Sequence, residues 1–328
     1  MNRTRLVVTT VAPALVFAFL TLVLLLSSGS HAWAEESNPK GEDVVKLTSY
    51  EPNLLGWTYD QSGHGYMDFL LSVKFAVLPR WIEKHASKNS RVYFSFSGRF
   101  GQYFDRQSSP VIGKRFNPEL FYRNVLRPKA EGNNARADDE YGAVDVGYGH
   151  ESNGQRIDSL ASYQQAQATL ERPEYADDYI SRGWDYVRLA VRSRYYPGLG
   201  TGDRMRAYFS FRRFLAGGVF QGAPEEYNSW ENSPEGKPRE QVDGLRVLLK
   251  YVRDSGDSER FLSASKLTLG YTTGYREIFR YNTVRLEAGV KILQLPVIIW
   301  TSRGYNSDLI RYYKYTTASG IAIEIGSF

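Results

Sequence analysis

The stretch GYGHESNGQ, residues 147–155, places a histidine two positions before a serine in a chain with only four histidines. A serine hydroxyl becomes nucleophilic when a base takes its proton, and an imidazole has the right pKa for that task at neutral pH. A third group must hold the other ring nitrogen and stabilise the imidazolium. Asp185, in SRGWDYVRLAVRSRYY, is a carboxylate available for that role. Gly154, two residues beyond Ser152, offers an unhindered backbone N–H to a developing oxyanion. The competing structural reading makes His150 a rim residue bonded to a neighbour, and H-x-S-N-G alone does not separate the two.

Strand parity decides which way these groups point, because residues two apart share a face. His150 shares its face with Tyr148, Val146 and Val144, while Gly149, Gly147 and Asp145 take the other. If the strand continues, Ser152 joins the histidine. In the next strand Asp185 lies with Val187, Leu189 and Val191, opposite Tyr186, Arg188, Arg192 and Arg194. The histidine, the serine and the carboxylate are therefore expected on one apolar face. In a barrel that face is lipid, where a polar group is costly unless paired and near the interface.

The same alternation recurs in RVYFSFSGRFGQYF, YMDFLLSVKFAVL, DGLRVLLKYVRD and NTVRLEAGVKI. It predicts an all-β fold, a single transmembrane antiparallel barrel of about twelve strands, over 48–59, 66–79, 91–104, 116–127, 140–150, 182–195, 204–216, 243–254, 261–272, 281–291, 294–303 and 316–328. An even count lets both ends of the barrel chain lie on one side. The long connections 151–181 and 217–242 then fall at one end. The short links YPGLGTGD, DSGDSER and LQLP fall at the other, the asymmetry of exported barrels. Strands this long and numerous do not suit a small soluble sandwich.

Composition agrees. The 328 residues include no cysteine, so no disulfide stabilises the fold, and 24 Tyr, 17 Phe and 6 Trp make it dense in aromatics. The first 34 residues read as a cleaved secretory signal, with Arg3 and Arg5, a long apolar run, and Ala32-Trp33-Ala34 as the cleavage pattern. An uncleaved anchor is the alternative. Of the full +5 charge, loss of Arg3 and Arg5 leaves 39 basic against 36 acidic residues, or +3, which is no nucleic-acid footprint. His64 and His85 fall in connections and are read as solvated.

These residues resemble the outer membrane phospholipase A family of Gram-negative bacteria. GYGHESNG is close to the family's G-Y-x-H-x-S-N-G, and SRGWDY is similar to its S-R-S-W-N segment. SSPVIGKRFNPELF and GYNSDLIRYYKYTTASGIAIEI are like two further family elements, and the resemblance runs from about residue 50 to the end. It implies a calcium-dependent phospholipase A1/A2, active as a homodimer in the outer membrane and acting on glycerophospholipids. His150 would be the base, Ser152 the nucleophile and Asp185 the orienting residue. It implies calcium held near the oxyanion by Ser181 and the carbonyl of Gln155, with Ser108 reaching in from the partner subunit. Calcium takes oxygen ligands of these types.

Three departures stand out. Asp185 occupies a position where the best-known members carry Asn. Gln155 replaces a common Arg. Residues 156–180 form a far longer insertion than is usual, and its Asp158, Asp177 or Asp178 are alternative ligands. Ser108 and Ser181 also read as an ordinary loop serine and a turn residue. The rival function is a structural or pore-forming barrel that keeps the fold without activity.

Overall fold

A computed structural model of the chain describes residues 47–61, 65–77, 90–127, 142–195, 203–231, 236–254 and 261–325. The expected signal segment, His64 and His85 lie outside these residues, so the structure leaves those readings untouched. Twelve strands make the wall: β1 (Asn53–Asp60), β2 (Gly65–Ala76), β3 (Ser90–Gln102), β4 (Val111–Arg127), β5 (Gly142–Ser152) and β6 (Gly183–Tyr195). They continue with β7 (Arg204–Phe214), β8 (Gly244–Asp254), β9 (Leu262–Gly274), β10 (Asn282–Ile292), β11 (Leu295–Gly304) and β12 (Thr316–Ile325). Each pairs antiparallel with its sequence neighbours, and β12 pairs with β1 from Ala318↔Asp60 to Ile325↔Asn53. That last ladder closes the sheet, so no edge is left unpaired.

Several boundaries differ from the sequence expectation, each for a physical reason. The first predicted strand breaks at Pro52, which has no N–H for the ladder. Thr48–Ser49 remain as a two-residue strand on β2, opposite Lys74 and Val73. Strand β4 starts at Val111, five residues earlier than predicted, and a bulge at Lys114, opposite the Arg99–Phe100 step of β3, absorbs the offset in register. Strand β5 continues through Ser152, which settles the serine's face. The β10–β11 hairpin turns on Leu293 and Gln294, both at positive φ (46° and 70°), as a two-residue hairpin requires.

The two faces are chemically distinct. Outside, Val146, Val187, Leu189, Phe209, Leu267 and Ile299 are all exposed. This is the apolar band that an outer-membrane barrel presents to lipid. No helix among the described residues is long and apolar enough to cross a membrane. Inside, ion pairs line a cavity of about 1090 Å³: Arg99–Asp68 and Arg123–Asp145 join adjacent strands at 2.6 and 2.7 Å, and Arg188–Glu119 reaches across β5 at 2.6 Å. At the end that carries the long loops, residues 305–315 fold inward. Leu309, Ile310 and Tyr312 there are fully buried, and Asp308 accepts from Lys114 Nζ at 2.7 Å.

Candidate active site

Strand β5 brings His150 to its outer face directly opposite Asp185 of β6. The imidazole Nδ1 lies 2.7 Å from Asp185 Oδ1. Ser152 follows two residues later on the same face, about 6.5–7 Å along the strand, opposite Gly183. The three residues proposed from parity therefore share one patch of the outer wall at the long-loop end. On the inner face of β5, Gly149 gives space to Tyr186: a Cβ there would come within 2.4 Å of the phenol oxygen.

Parity placed Asp185 against lipid, and here the structure differs. Asp185 does point outward, but it is 1% exposed, because residues 215–225 lie across it. This strap is stitched to the start of β6 by Leu215 N–H to Asp185 O at 2.9 Å and by Glu225 N–H to Gly183 O at 2.9 Å. Asp185 Oδ2 then accepts from Phe220 N at 2.8 Å, Gln221 N at 3.2 Å and the Tyr148 hydroxyl at 2.5 Å. Tyr148 in turn accepts from Val219 N at 2.7 Å. The Phe220 ring stands edge-on to His150, with centroids 6.1 Å apart. His150 keeps 17% side-chain exposure beside the covered carboxylate.

Behind this patch, between His150 and Ser152 in sequence, Glu151 points into the lumen and is fully buried. It is paired with Arg115 at 3.0 Å, Arg212 at 3.4 Å and Arg239 at 2.9 Å. Arg212 and Arg239 also bind Asp243, at 2.7 and 2.8 Å. Burial alone would push the Asp243 carboxyl up, but Arg212 and Arg239 hold it well below the usual carboxylate range.

The insertion leaves this geometry intact because it is pinched off at its base. Ile157 N–H donates to Tyr179 O at 2.9 Å and Ser181 N–H to Ile157 O at 2.8 Å, a parallel bridge between Ile157 and Ile180. Asn153 adds a second clasp, donating to Ile180 O at 2.7 Å and accepting from Arg182 N at 2.9 Å. Above the clasp, helix α1 (Leu160–Thr169) and a 3-10 turn (Pro173–Tyr179) pack Ala166 and Ala176 with Ile157, Ile180 and Ile310. The acids named as alternative ligands have structural partners. Asp178 binds Arg106 at 2.5 Å, Asp177 accepts from Tyr163 at 2.6 Å, and Asp158 accepts from Ser162 at 3.5 Å.

The residues named for calcium are brought together only in part. The clasp sets Gln155 and Ser181 at the two feet of the insertion. Ser181 Oγ donates to Glu225 Oε2 at 2.6 Å, and the Gln155 amide donates to Gly113 O at 3.3 Å. Ser108, at φ 62°, sits in the exposed β3–β4 loop. That loop is fastened to the insertion through Gln107 N–H to Glu171 at 3.0 Å. No hydrogen bond links Ser108 to Gln155 or Ser181 among the described residues, and no group of three or more His, Cys, Asp or Glu side chains there could hold a metal. What remains is a hydroxyl, a carbonyl and the Glu225 carboxylate, all hard oxygen donors of the kind calcium takes. Gly154 follows at φ +63°, exposed.

Sequence reasoning missed Tyr148, the 218–221 backbone and Glu225. Tyr148 stood on the right face but read as apolar, and the Gly217-Gly218 pair marked a close backbone approach. A Cβ at Gly218 would lie 2.0 Å from Asp185 Oδ2.

No protein-family model and no curated protein sequence matches the chain. Among solved structures it is similar to outer membrane phospholipase A from Escherichia coli, with a TM-score of 0.54 at 16% identity, covering 86% of this chain and 100% of that one. An active-site mutant of the same protein gives 0.52 at 16% identity, over 89% of this chain and 94% of that one. The Salmonella typhi outer membrane phospholipase, a dimer with bound calcium, gives 0.53 at 13% identity, over 88% and 93%. The likeness establishes the fold: a twelve-stranded barrel of the outer-membrane phospholipase type.

Proposed function

We propose that the protein is an outer-membrane phospholipase that hydrolyses acyl esters of glycerophospholipids, with A1/A2 and lysophospholipase activity. The observation that carries this reading is the His150–Asp185 pair on the barrel exterior, with Ser152 beside it on the same lipid-facing strand. A soluble substrate would not require a nucleophile aimed at hydrocarbon. An ester of the bilayer itself does.

In this mechanism Asp185 accepts a hydrogen bond from Nδ1–H and so leaves Nε2 free to take the proton of Ser152 Oγ. The Oγ–carbon bond forms at the ester carbonyl, and the tetrahedral oxyanion is met by the Gly154 backbone N–H. Collapse breaks the bond to the glycerol oxygen, which receives the proton from imidazolium. The lysophospholipid leaves, and water releases the fatty acid from Ser152 by the same proton path. The exposed Phe220 side chain lies beside the histidine, where an acyl chain would pass.

Calcium fits the oxygen donors of Ser181, the Gln155 carbonyl and the neighbouring Glu225, with Ser108 of the partner subunit completing the set. A bound ion would supply positive charge next to the oxyanion. This part of the reading entails a homodimer, and the first 34 residues act as the export signal. The rival pore function would have to accommodate residues 305–315, which bury Leu309 and Ile310 at the long-loop end.

The test is fatty-acid release from phospholipid micelles by the refolded protein, with calcium and with chelator. Release is expected with calcium and strongly reduced with chelator. A folded protein that releases none in either condition would return the barrel to a structural role.

A further inference from the structure

Asp185 has two oxygens, and the fold treats them differently. Oδ1 faces the imidazole Nδ1 at 2.7 Å. Oδ2 takes the Tyr148 hydroxyl at 2.5 Å and the N–H groups of Phe220 and Gln221 at 2.8 and 3.2 Å. We propose that Tyr148 and the 218–221 strap are positioning elements, which keep Asp185 an anion whose one uncommitted oxygen is turned to His150. The inference rests on the Ser152–His150–Asp185 reading above and deepens it.

The direction of the phenol proton follows from its partners. Val219 N–H reaches the Tyr148 oxygen at 2.7 Å and can only donate. The single Tyr148 proton therefore goes to Asp185. The strap comes close enough only because position 218 is glycine, where a Cβ would meet Oδ2 at 2.0 Å. Donors on this oxygen are neutral. His150 is the only basic side chain paired with Asp185 among the described residues. On the outer faces of β5–β7 and in the strap, the other charged groups are Glu225, bound to Ser181, and exposed Arg213 of β7, which stands opposite Val187. The carboxylate is thus shielded from water and held in place without being neutralised by a cation.

The arrangement also explains why an aspartate stands here. An asparagine could not replace it passively. With its NH2 at the Oδ2 position, the amide would confront three donors. With the amide turned over, NH2 would face Nδ1 and drive the imidazole proton onto Nε2, where it cannot receive the serine proton. The strap and the tyrosine together specify a carboxylate.

Tyr148→Phe tests this directly. Loss of the phenol returns charge to Oδ1 and stabilises the imidazolium, so the acid limb of the kcat/KM profile should move to higher pH, with kcat about tenfold lower and KM little changed. Independently of activity, the Nδ1–H proton of His150 should appear strongly downfield in the NMR spectrum of the refolded, isotope-labelled protein. It should move further downfield in Tyr148→Phe and vanish in Asp185→Asn. Gly218→Ala, which pushes the strap off Oδ2, should shift the same resonance if Tyr148→Phe fails to fold. An unchanged resonance and an unchanged pH profile in a folded Tyr148→Phe protein overturn the proposal. Hydrolysis that survives Ser152→Ala overturns the underlying triad instead, while the resonance still reports on the clamp.

Discussion

Glu151 and Asp185 lie within one ladder step of each other on opposite faces of the same two strands, and the fold handles their charges in opposite ways. Glu151 faces the lumen and meets three guanidinium groups at 2.9–3.4 Å. Asp185 faces outward and meets a phenol, two backbone N–H groups and one imidazole. A carboxylate surrounded by permanent cations is locked, since none of its partners can give up a proton near neutral pH. A carboxylate held by neutral donors and one titratable ring keeps its charge available to that ring. The inner site fastens the wall, and the outer one has the arrangement that the proposed proton transfer needs.

The contrast can be broken most severely at Asp185. Asp185→Asn is expected to lower hydrolysis by about 10³- to 10⁴-fold, measured as fatty-acid release, with the barrel still folded by heat-modifiability on gels. Loss of folding without that specific loss of turnover would erase the distinction between the two faces. Glu151→Gln should act on the other axis. It leaves Arg115, Arg212 and Arg239 sharing the single carboxylate of Asp243, and should cost about 3–5 kcal/mol in urea unfolding of the refolded protein. An effect below about 1 kcal/mol would show that the inner cluster is well hydrated rather than locked.

A smaller effect concerns residues 305–315 at the long-loop end. Burial would raise the Asp308 carboxyl, but Lys114, with Arg99 and Arg311, holds it below its ordinary range. A depressed carboxyl contributes stability fully present above its unfolded pKa of about 4 and lost as pH falls through its folded value. Wild type should therefore exceed Asp308→Asn by about 1–3 kcal/mol at pH 7, and the gap should close as pH drops below about 4. A gap that is constant with pH would mean that Asp308 contributes by hydrogen bonding alone.

Much of this was legible in the chain. The period of two gave twelve strands, their order, and the outward face of His150, Ser152 and Asp185, because alternation follows directly from which side is lipid. The strap over Asp185 was not legible, since a loop's path depends on contacts it makes only after the barrel forms. Tyr148 was hidden by its own dual nature: parity read the ring and ignored the hydroxyl. The clasp at Ile157 and Ile180 joins residues 23 positions apart, which no local pattern marks. The early start of β4 was masked by SSP, a turn-like sequence that here directly precedes the strand.

The central claim is that Ser152 attacks an ester from the lipid-facing side. Its most direct test is to treat the refolded protein with a long-chain phosphonate ester and locate the adduct by peptide mass spectrometry. The account predicts a single adduct on Ser152, formed quickly in wild type and greatly slowed in His150→Ala. A folded protein that carries no adduct, or carries it on another residue, would contradict it.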